Sequence, residues 1–216
     1  MIFDDHSKLS GEHAFLGASK YQWLNYDDET LDARFISSYA KSVGTIIHNY
    51  AATLIAHRIK LHRSDRTAIQ TELVRNGIPE YAFDVNHILE NLVPYVNDGI
   101  NYKMEPEQVL YYSDICFGTA DTIQYYDKKH ILRIHDLKTG SIPAHWEQLE
   151  IYAALFFLEY GKRLDIRPGE VDTELRIYQN GETNVLKAEA NDIVPFIDAI
   201  VTENKHLQNN FMRQTK

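Results

Sequence analysis

The first hundred residues carry apolar side chains at the spacing of α-helices. In residues 31–62 the apolar positions recur three and four residues apart, which places them on one helix face. Gly44 predicts a break between two helices within this range. Residues 65–76 and 81–99 show the same periodicity, and the second stretch is predicted to be interrupted at Pro94. The first half of the chain is therefore predicted to be mainly helical.

After Pro106 the apolar pattern changes to a period of two, which is typical of β-strands. Residues 109–112, 116–126 and 130–138 are rich in β-branched and aromatic side chains. Residues 126–129 have the composition of a turn that joins the last two segments as a hairpin. We therefore predict a three-stranded antiparallel meander.

The last third of the chain returns to helix, then strand, then helix. A strongly apolar helix is predicted over residues 143–160, opened by Pro143. Residues 174–179 and 184–188 form a second predicted strand pair around Asn180-Gly181. A helix over residues 192–211 closes the chain. The expected fold class is α+β, in a single domain over residues 1–216 with a mainly helical part (1–103) followed by a sheet-and-helix part (104–216).

The composition is that of an ordered globular protein, with 44% hydrophobic and 25% charged residues. Cys116 is the only cysteine, which excludes intramolecular disulfides, cysteine zinc fingers and four-cysteine iron–sulfur clusters. The longest apolar stretch, residues 151–158, is too short to span a bilayer, and the N-terminus is acidic where a signal peptide is basic. We therefore expect a cytoplasmic protein without a membrane partner.

The formal net charge of −9 disfavours a surface that wraps nucleic acid through broad electrostatic attraction. Local clusters of basic residues would overcome this objection, because mean charge does not describe the field within one cleft. One basic run, residues 57–63, either contacts phosphate or is a solvated helix end. Tyr111, Tyr112, Tyr125 and Tyr126 either stack on bases or pack in the core.

The predicted strand that ends near residue 138 carries two charged residues at its end. Strand alternation places Asp136 and Lys138 on the same face as the apolar Leu132 and Ile134. Burying charge in this position is costly unless a partner or a metal compensates it. The pair is either a salt bridge at a strand end or part of a site.

A second carboxylate is predicted to meet this pair. Asp121 lies 15 residues before Asp136, and a hairpin turn centred near Lys128 brings the two to the same end of their strands. Converging carboxylates repel each other unless a hard cation lies between them, and oxygen ligands suit Mg²⁺ or Mn²⁺. Such an ion with a nearby lysine is suited to phosphodiester hydrolysis.

Three short motifs resemble the PD-(D/E)XK nuclease superfamily, in particular its RecB-like and phage exonuclease branch. They are Gly118-Thr119-Ala120-Asp121, Asp136-Leu137-Lys138-Thr139-Gly140 and Gln148-Leu149-Glu150-Ile151-Tyr152. The resemblance implies a restriction-endonuclease-like α/β/α core with a central mixed sheet. It also implies metal ligation by Asp121, Asp136 and the Leu137 carbonyl, catalysis by Lys138, and active-site contacts from Gln148 and Tyr152. The last two are four residues apart and so share a helix face.

Two further residues resemble ligands of that branch. Gly44-Thr45-Ile46-Ile47-His48 is similar to a helix motif whose histidine binds metal, and Glu107 is similar to the acidic residue before the first strand aspartate. Glu105 competes with Glu107 for the second role. A partly buried structural histidine is the alternative for His48.

The function that the resemblance implies is a Mg²⁺- or Mn²⁺-dependent DNA exonuclease of phage type, in the cluster-free branch of the superfamily. Its expected partners are DNA, as linear ends or single strands, and a single-strand annealing or recombination protein, within the host cytoplasm. A homo-oligomer would hold an acidic chain on DNA by topology. Two alternatives stay open: a non-catalytic DNA- or protein-binding module with the nuclease fold, and a hydrolase of another phosphoester.

Overall fold

A computed structural model describes residues 5–11, 13–140 and 143–212 of the chain. Within them, the first half holds the α-helices α1 (Asp28–Ser37), α2 (Ala40–Ala56), α3 (Arg66–Arg75) and α4 (Val85–Asn101). The strands are β1 (Glu105–Ser113), β2 (Cys116–Tyr126), β3 (Ile131–Leu137), β4 (Asp172–Gln179) and β5 (Glu182–Ala188). Helix α5 (Glu147–Leu164) lies between β3 and β4, and α6 (Ala190–Leu207) follows β5.

The strands form one mixed sheet in the order β1-β2-β3-β4-β5. The first three make the predicted antiparallel meander. Helix α5 then returns the chain so that β4 pairs with β3 in parallel, and β5 pairs with β4 in antiparallel orientation. A parallel neighbour needs such a crossover, because its start lies at the far end of the preceding strand. The crossover also brings residues that follow β3 close to the start of α5.

Helices cover both faces of the sheet. On one face, Ile47, Ile69 and Leu92 of α2, α3 and α4 share a buried cluster with Leu137 and Tyr178 of the sheet. On the other face, the apolar sides of α5 and α6 pack against the strands in a second buried cluster. Because both faces are covered, most positions of β3 and β4 are buried or half-buried, although both strands also carry charged residues. The expected α+β fold, a mixed sheet flanked by helices, is confirmed.

Two predicted helix breaks are wrong. Gly44 lies inside α2, and the first helical region divides instead between Ser37 and Ala40. Pro94 lies inside α4, which continues through it. A proline removes one backbone donor, but the buried apolar face of α4 stabilises the helix on both sides of that position. Tertiary packing therefore outweighs local propensity at both sites.

Two predicted helix ends differ from the structure. The helix predicted from residue 143 begins at Glu147, and in the segment before it the Ala144 N–H donates to the Gln179 side chain at 3.1 Å. Helix α2 ends at Ala56 rather than near residue 62, since Arg58 takes a left-handed backbone conformation with φ of +57°. The last α-helix ends at Leu207 and passes directly into a π-helix, Gln208–Met212, so the predicted helical segment up to residue 211 is confirmed.

One buried amide connects α4 to the ends of two strands. Asn91 is only 2% exposed, and its Oδ1 accepts the Gly181 N–H at 2.7 Å in the turn between β4 and β5. Its Nδ2 donates to the Lys138 carbonyl at 3.4 Å, just after β3. The same side chain therefore fixes the position at which the Asp136–Lys138 segment leaves the sheet.

We predict that Asn91→Ala destabilises the fold by about 1–3 kcal/mol, because the buried Gly181 N–H loses its acceptor. The free energy of unfolding, measured by urea denaturation, tests this. Asn86→Ala is the matched control on the same helix, because Asn86 is exposed and its side-chain oxygen accepts a hydrogen bond from the exposed Arg66. Equal stability of the two variants would contradict the role given to Asn91.

Candidate metal centre

Strands β2 and β3 separate just before the candidate site. Their ladder ends at the pair Thr122–His135. Beyond it, the Leu137 N–H donates to Asp121 Oδ2 at 2.9 Å, so a side-chain oxygen replaces the backbone carbonyl of a regular ladder. A strand N–H in a buried position needs such an acceptor. The carboxylate of Asp121 is therefore oriented by the end of β3.

Helix α2 brings His48 to this carboxylate. The His48 Nδ1 atom lies 3.3 Å from Asp121 Oδ2. Gly44, one turn earlier, lets α2 approach the chain after β3, since a Cβ there would lie 3.1 Å from Thr139 Oγ1. Burial lowers the pKa of His48, but the contact with Asp121 and the nearby carboxylates raise that pKa further, so it ends above its ordinary value.

The backbone of β1 is irregular at Glu107. The pairing of β1 with β2 passes over this residue, whose φ is +51°. A left-handed conformation costs a residue with a Cβ atom about 1–2 kcal/mol, and such strain concentrates at functional sites. Strand β2 is also irregular where it faces Glu107. Residues three apart in a regular strand point to opposite faces, but Ala120 and Ile123 pack into the same cluster. Both irregularities flank Asp121.

These elements bring three candidate ligands together. One potential ligand atom from each of His48, Glu107 and Asp121 lies within 4.8 Å of the other two. Among the residues that the structure describes, they are the one such group of histidine, cysteine and acidic side chains. Carboxylate oxygens with one imidazole suit Mn²⁺ or Mg²⁺. Burial and the Asp121 carboxylate raise the pKa of Glu107, a sign of uncompensated negative charge.

Asp136 and Lys138 form an ion pair next to this group. Asp136 is 1% exposed, and Lys138 Nζ lies 3.1 Å from its Oδ1 and 2.9 Å from its Oδ2. The contact between Lys138 Nζ and Asp136 Oδ2 lacks the geometry of a hydrogen bond. Asp136 Oδ2 therefore accepts no hydrogen bond from the described residues. Burial and the Asp121 carboxylate raise the pKa of Asp136 to about 6, against the lowering effect of Lys138.

Helix α5 adds two polar side chains to the site. Lys138 Nζ donates to Gln148 Oε1 at 2.9 Å, and Gln148 Nε2 donates to the Tyr152 hydroxyl at 3.1 Å. Gln148 and Tyr152 thus share a helix face, as their spacing predicts. Gly118 of β2 lies against the Tyr152 ring, where a Cβ would come within 2.8 Å of Cε1. The absence of a side chain at Gly118 therefore allows α5 to sit at this distance from β2.

The structure distinguishes among the predicted ligands. Glu107 belongs to the three-residue group, whereas Glu105 pairs regularly with Ile123 and lies outside it. Asp136 is adjacent to the group but is not one of its three members. The Leu137 N–H donates a hydrogen bond to Asp121. Metal ligation by the Leu137 carbonyl stays a prediction.

Two positioning residues escaped the sequence prediction. Gln179 Nε2 donates to the Gly140 carbonyl at 2.7 Å, and its Oε1 accepts from Ala144, so it holds the chain between β3 and α5. Asn91 holds the Lys138 carbonyl from α4. For Asn91 the sequence did contain a signal, because it lies on the apolar face of its helix, three residues after Ile88.

The tyrosines of β1 and β2 are mostly structural. Tyr112 and Tyr125 pack against the cluster under α5, and the Tyr126 hydroxyl donates to the Tyr102 carbonyl. Tyr111 is 46% exposed, with its hydroxyl donating to Asp114. Core packing therefore accounts for most of the aromatic pattern of these strands.

No protein family, curated protein or solved structure matches the chain significantly. The arguments about function therefore rest on the geometry of the site and on the motif resemblance. None of the described helices is both long enough and apolar enough to cross a membrane.

We predict that Gly118→Ala destabilises the protein by about 1–3 kcal/mol, because the added methyl group overpacks the contact with Tyr152. Gly140→Ala is the matched control, since a Cβ at Gly140 meets nothing within 4 Å. The free energies of unfolding of both variants, measured in urea, decide the question. If Gly118→Ala is as stable as Gly140→Ala, the close approach of α5 to β2 is wrong.

We also predict that Asp136→Asn stabilises the metal-free protein at neutral and alkaline pH. The pKa of Asp136 is raised from 3.8 to about 6 in the fold, so its contribution to stability is complete below pH 4 and is lost as pH rises through 6. The variant should gain about 1–3 kcal/mol at pH 8, and this gain should shrink towards pH 4. Thermal unfolding in chelator measures it, with the exposed Asp127→Asn as control. A gain independent of pH would contradict the prediction.

Proposed function

We propose that this protein is a Mg²⁺- or Mn²⁺-dependent deoxyribonuclease of the PD-(D/E)XK type, which hydrolyses phosphodiester bonds at DNA ends as an exonuclease. The observation that carries the proposal is the convergence of His48, Glu107 and Asp121 beside the buried Asp136–Lys138 pair. Four elements that are distant in sequence contribute to this one place. The motif resemblance supports the same assignment.

The donor set fits a divalent cation. Three carboxylates, those of Glu107, Asp121 and Asp136, face one ammonium group and one imidazole. Burial first, and then the charge of Asp121, raise the pKa values of Glu107 and Asp136, so their ionised forms are disfavoured in the metal-free site. The buried Asp136 Oδ2 is also left without a hydrogen-bond donor among the described residues. A bound cation would relieve both conditions.

The residues around the carboxylates are arranged for phosphoryl chemistry. A divalent ion at this place would polarise a phosphoryl oxygen and lower the pKa of water. Lys138 presents an ammonium group held from two sides, by Asp136 and by Gln148. In this position it orients the nucleophile and offsets the negative charge that develops on the phosphate. Tyr152 fixes the amide of Gln148 and so restricts the lysine further.

A non-catalytic DNA- or protein-binding module is the second candidate, and the net charge of −9 favours it. It differs from the nuclease in one respect that can be measured. A binding module retains its affinity when Asp121 is neutralised and shows no turnover with any metal. The nuclease requires Asp121, Asp136 and Lys138 for the hydrolytic step.

We predict that the purified protein degrades linear DNA with Mg²⁺ or Mn²⁺ and that EDTA stops the reaction. Asp121→Asn, Asp136→Asn and Lys138→Ala should each lower the cleavage rate by about 100-fold or more, because each removes charge that acts on the transition state. The rate of release of nucleotides from labelled linear duplex and single strands is the measurement.

Asp127→Asn and Lys129→Ala, in the exposed turn between β2 and β3, are controls of the same chemical type and should cleave at the wild-type rate. Closed circular DNA and RNA of matched sequence define the substrate class. Cleavage in EDTA, or full activity of Asp136→Asn, would refute the metal mechanism. Binding of DNA without cleavage under any of these conditions would favour the non-catalytic module.

A further inference from the structure

Helices α2 and α4 end in the same unusual way. After α2, the Ile59 N–H bonds to the Leu54 carbonyl at 2.9 Å around Arg58, whose φ is +57°. After α4, the Met104 N–H bonds to the Gly99 carbonyl at 2.8 Å. Lys103, the residue just before Met104, has a φ of +54°. Both ends are Schellman motifs with a long basic residue in the left-handed position.

Glycine is the residue that this position favours. Any other side chain is less favourable there, because its Cβ atom crowds the backbone. One basic residue at a helix end is explained by the negative end of the helix dipole. Two basic residues at neighbouring helix ends also create a concentrated positive charge, and each of them has an unfavourable backbone conformation. Neither Arg58 nor Lys103 forms an ion pair with a residue that the structure describes.

The loop that follows α2 extends this charge and is firmly held. Asn97 of α4 binds both backbone groups of Leu61, accepting from its N–H at 3.1 Å and donating to its carbonyl at 2.8 Å. Leu61 itself is 2% exposed. The basic side chains of the loop therefore project from an anchored backbone, which lowers the entropy lost when they bind a ligand.

We define the basic surface by four exposed cationic residues at the ends of α2 and α4 and in the loop that follows α2. They are Arg58, Lys60, Arg63 and Lys103. The acidic residues in the same segments are Asp65, which is oriented by the His62 N–H, and Glu105. In a chain with a net charge of −9, this local excess of positive charge is complementary to a polyanion.

The basic surface adjoins the candidate metal centre. Arg58 and Lys103 line the same cleft as Glu105 and Pro106, and Glu107 is the next residue along β1. Along α2, the eight residues from Ala56 back to His48 span about 12 Å at 1.5 Å per residue. Duplex DNA advances about 3.4 Å per base pair along each strand. Three to four base pairs therefore reach from the cleft to the metal centre.

We propose that the basic surface binds the phosphate backbone of duplex DNA and leads it past Glu107 into the metal centre. The direction of this path rests on the proposed nuclease function, whereas the binding itself does not. The local charge also answers the objection that an acidic protein should not hold DNA. The alternative is that Arg58 and Lys103 only stabilise the ends of their helices.

The double substitution Arg58→Gly/Lys103→Gly separates these two roles. Glycine relieves the left-handed strain, so we expect the variant to unfold at about the same urea concentration as the wild type. Affinity for a fluorescent 20-base-pair duplex is measured by anisotropy in EDTA over a range of salt concentrations. Loss of two phosphate contacts should weaken binding about 10-fold or more at 0.1 M salt and reduce the slope of log Kd against log salt by about 2.

Lys162→Ala/Lys205→Ala removes the same charge from exposed positions on α5 and α6, over the other face of the sheet, and should bind like the wild type. Wild-type affinity and slope in the glycine variant would overturn the proposal. An equal loss of affinity in the control variant would also overturn it, as would a loss of affinity in the glycine variant without a change in the salt slope. Failure of the wild type to bind the duplex would have the same consequence.

The outcomes for the surface and for the nuclease are distinct. Salt-dependent binding that requires Arg58 and Lys103, without cleavage in Mg²⁺ or Mn²⁺, retains the surface and rejects the nuclease. Metal-dependent cleavage with unchanged binding by the glycine variant retains the nuclease and rejects the surface.

Discussion

The carboxylate of Asp121 is the interaction on which the arrangement of this site depends. It accepts the Leu137 N–H where the ladder of β2 and β3 ends, and it contacts His48 of α2. It also faces Glu107 across the irregular pairing of β1. Three elements therefore converge on one acidic side chain. This carboxylate also raises the pKa of Asp136, so its charge acts both on the group of His48 and Glu107 and on the Asp136–Lys138 ion pair.

Charge is distributed very unevenly over the molecule. Negative charge collects at the sheet end around Asp121 and Asp136, where burial and mutual repulsion raise the pKa of Asp136. Positive charge collects about 12 Å away, around Arg58 and Lys103 at the ends of α2 and α4. A net charge of −9 averages over these regions, and a ligand with phosphate groups meets them separately. The mean charge of the chain therefore does not describe the electrostatic environment of either region.

Much of the fold was predictable from local pattern. Strand alternation and the turn at residues 126–129 gave the meander, and the four-residue spacing of Gln148 and Tyr152 gave their common helix face. The two wrongly predicted helix breaks have one physical cause. Gly44 and Pro94 disfavour helix locally, but each lies in a helix whose apolar face is buried, and burial contributes more free energy than propensity removes.

The sequence by itself determined that Asp121, Asp136 and Lys138 meet, because a hairpin with a short turn leaves few alternatives for its two strands. Only the tertiary structure shows that Glu107, whose backbone is left-handed, lies near His48 and Asp121, whereas Glu105 does not belong to that group. Contacts between elements far apart in the chain depend on how helices pack on the sheet, and local periodicity does not encode that packing. The positive surface near Glu107 is another such product of tertiary structure.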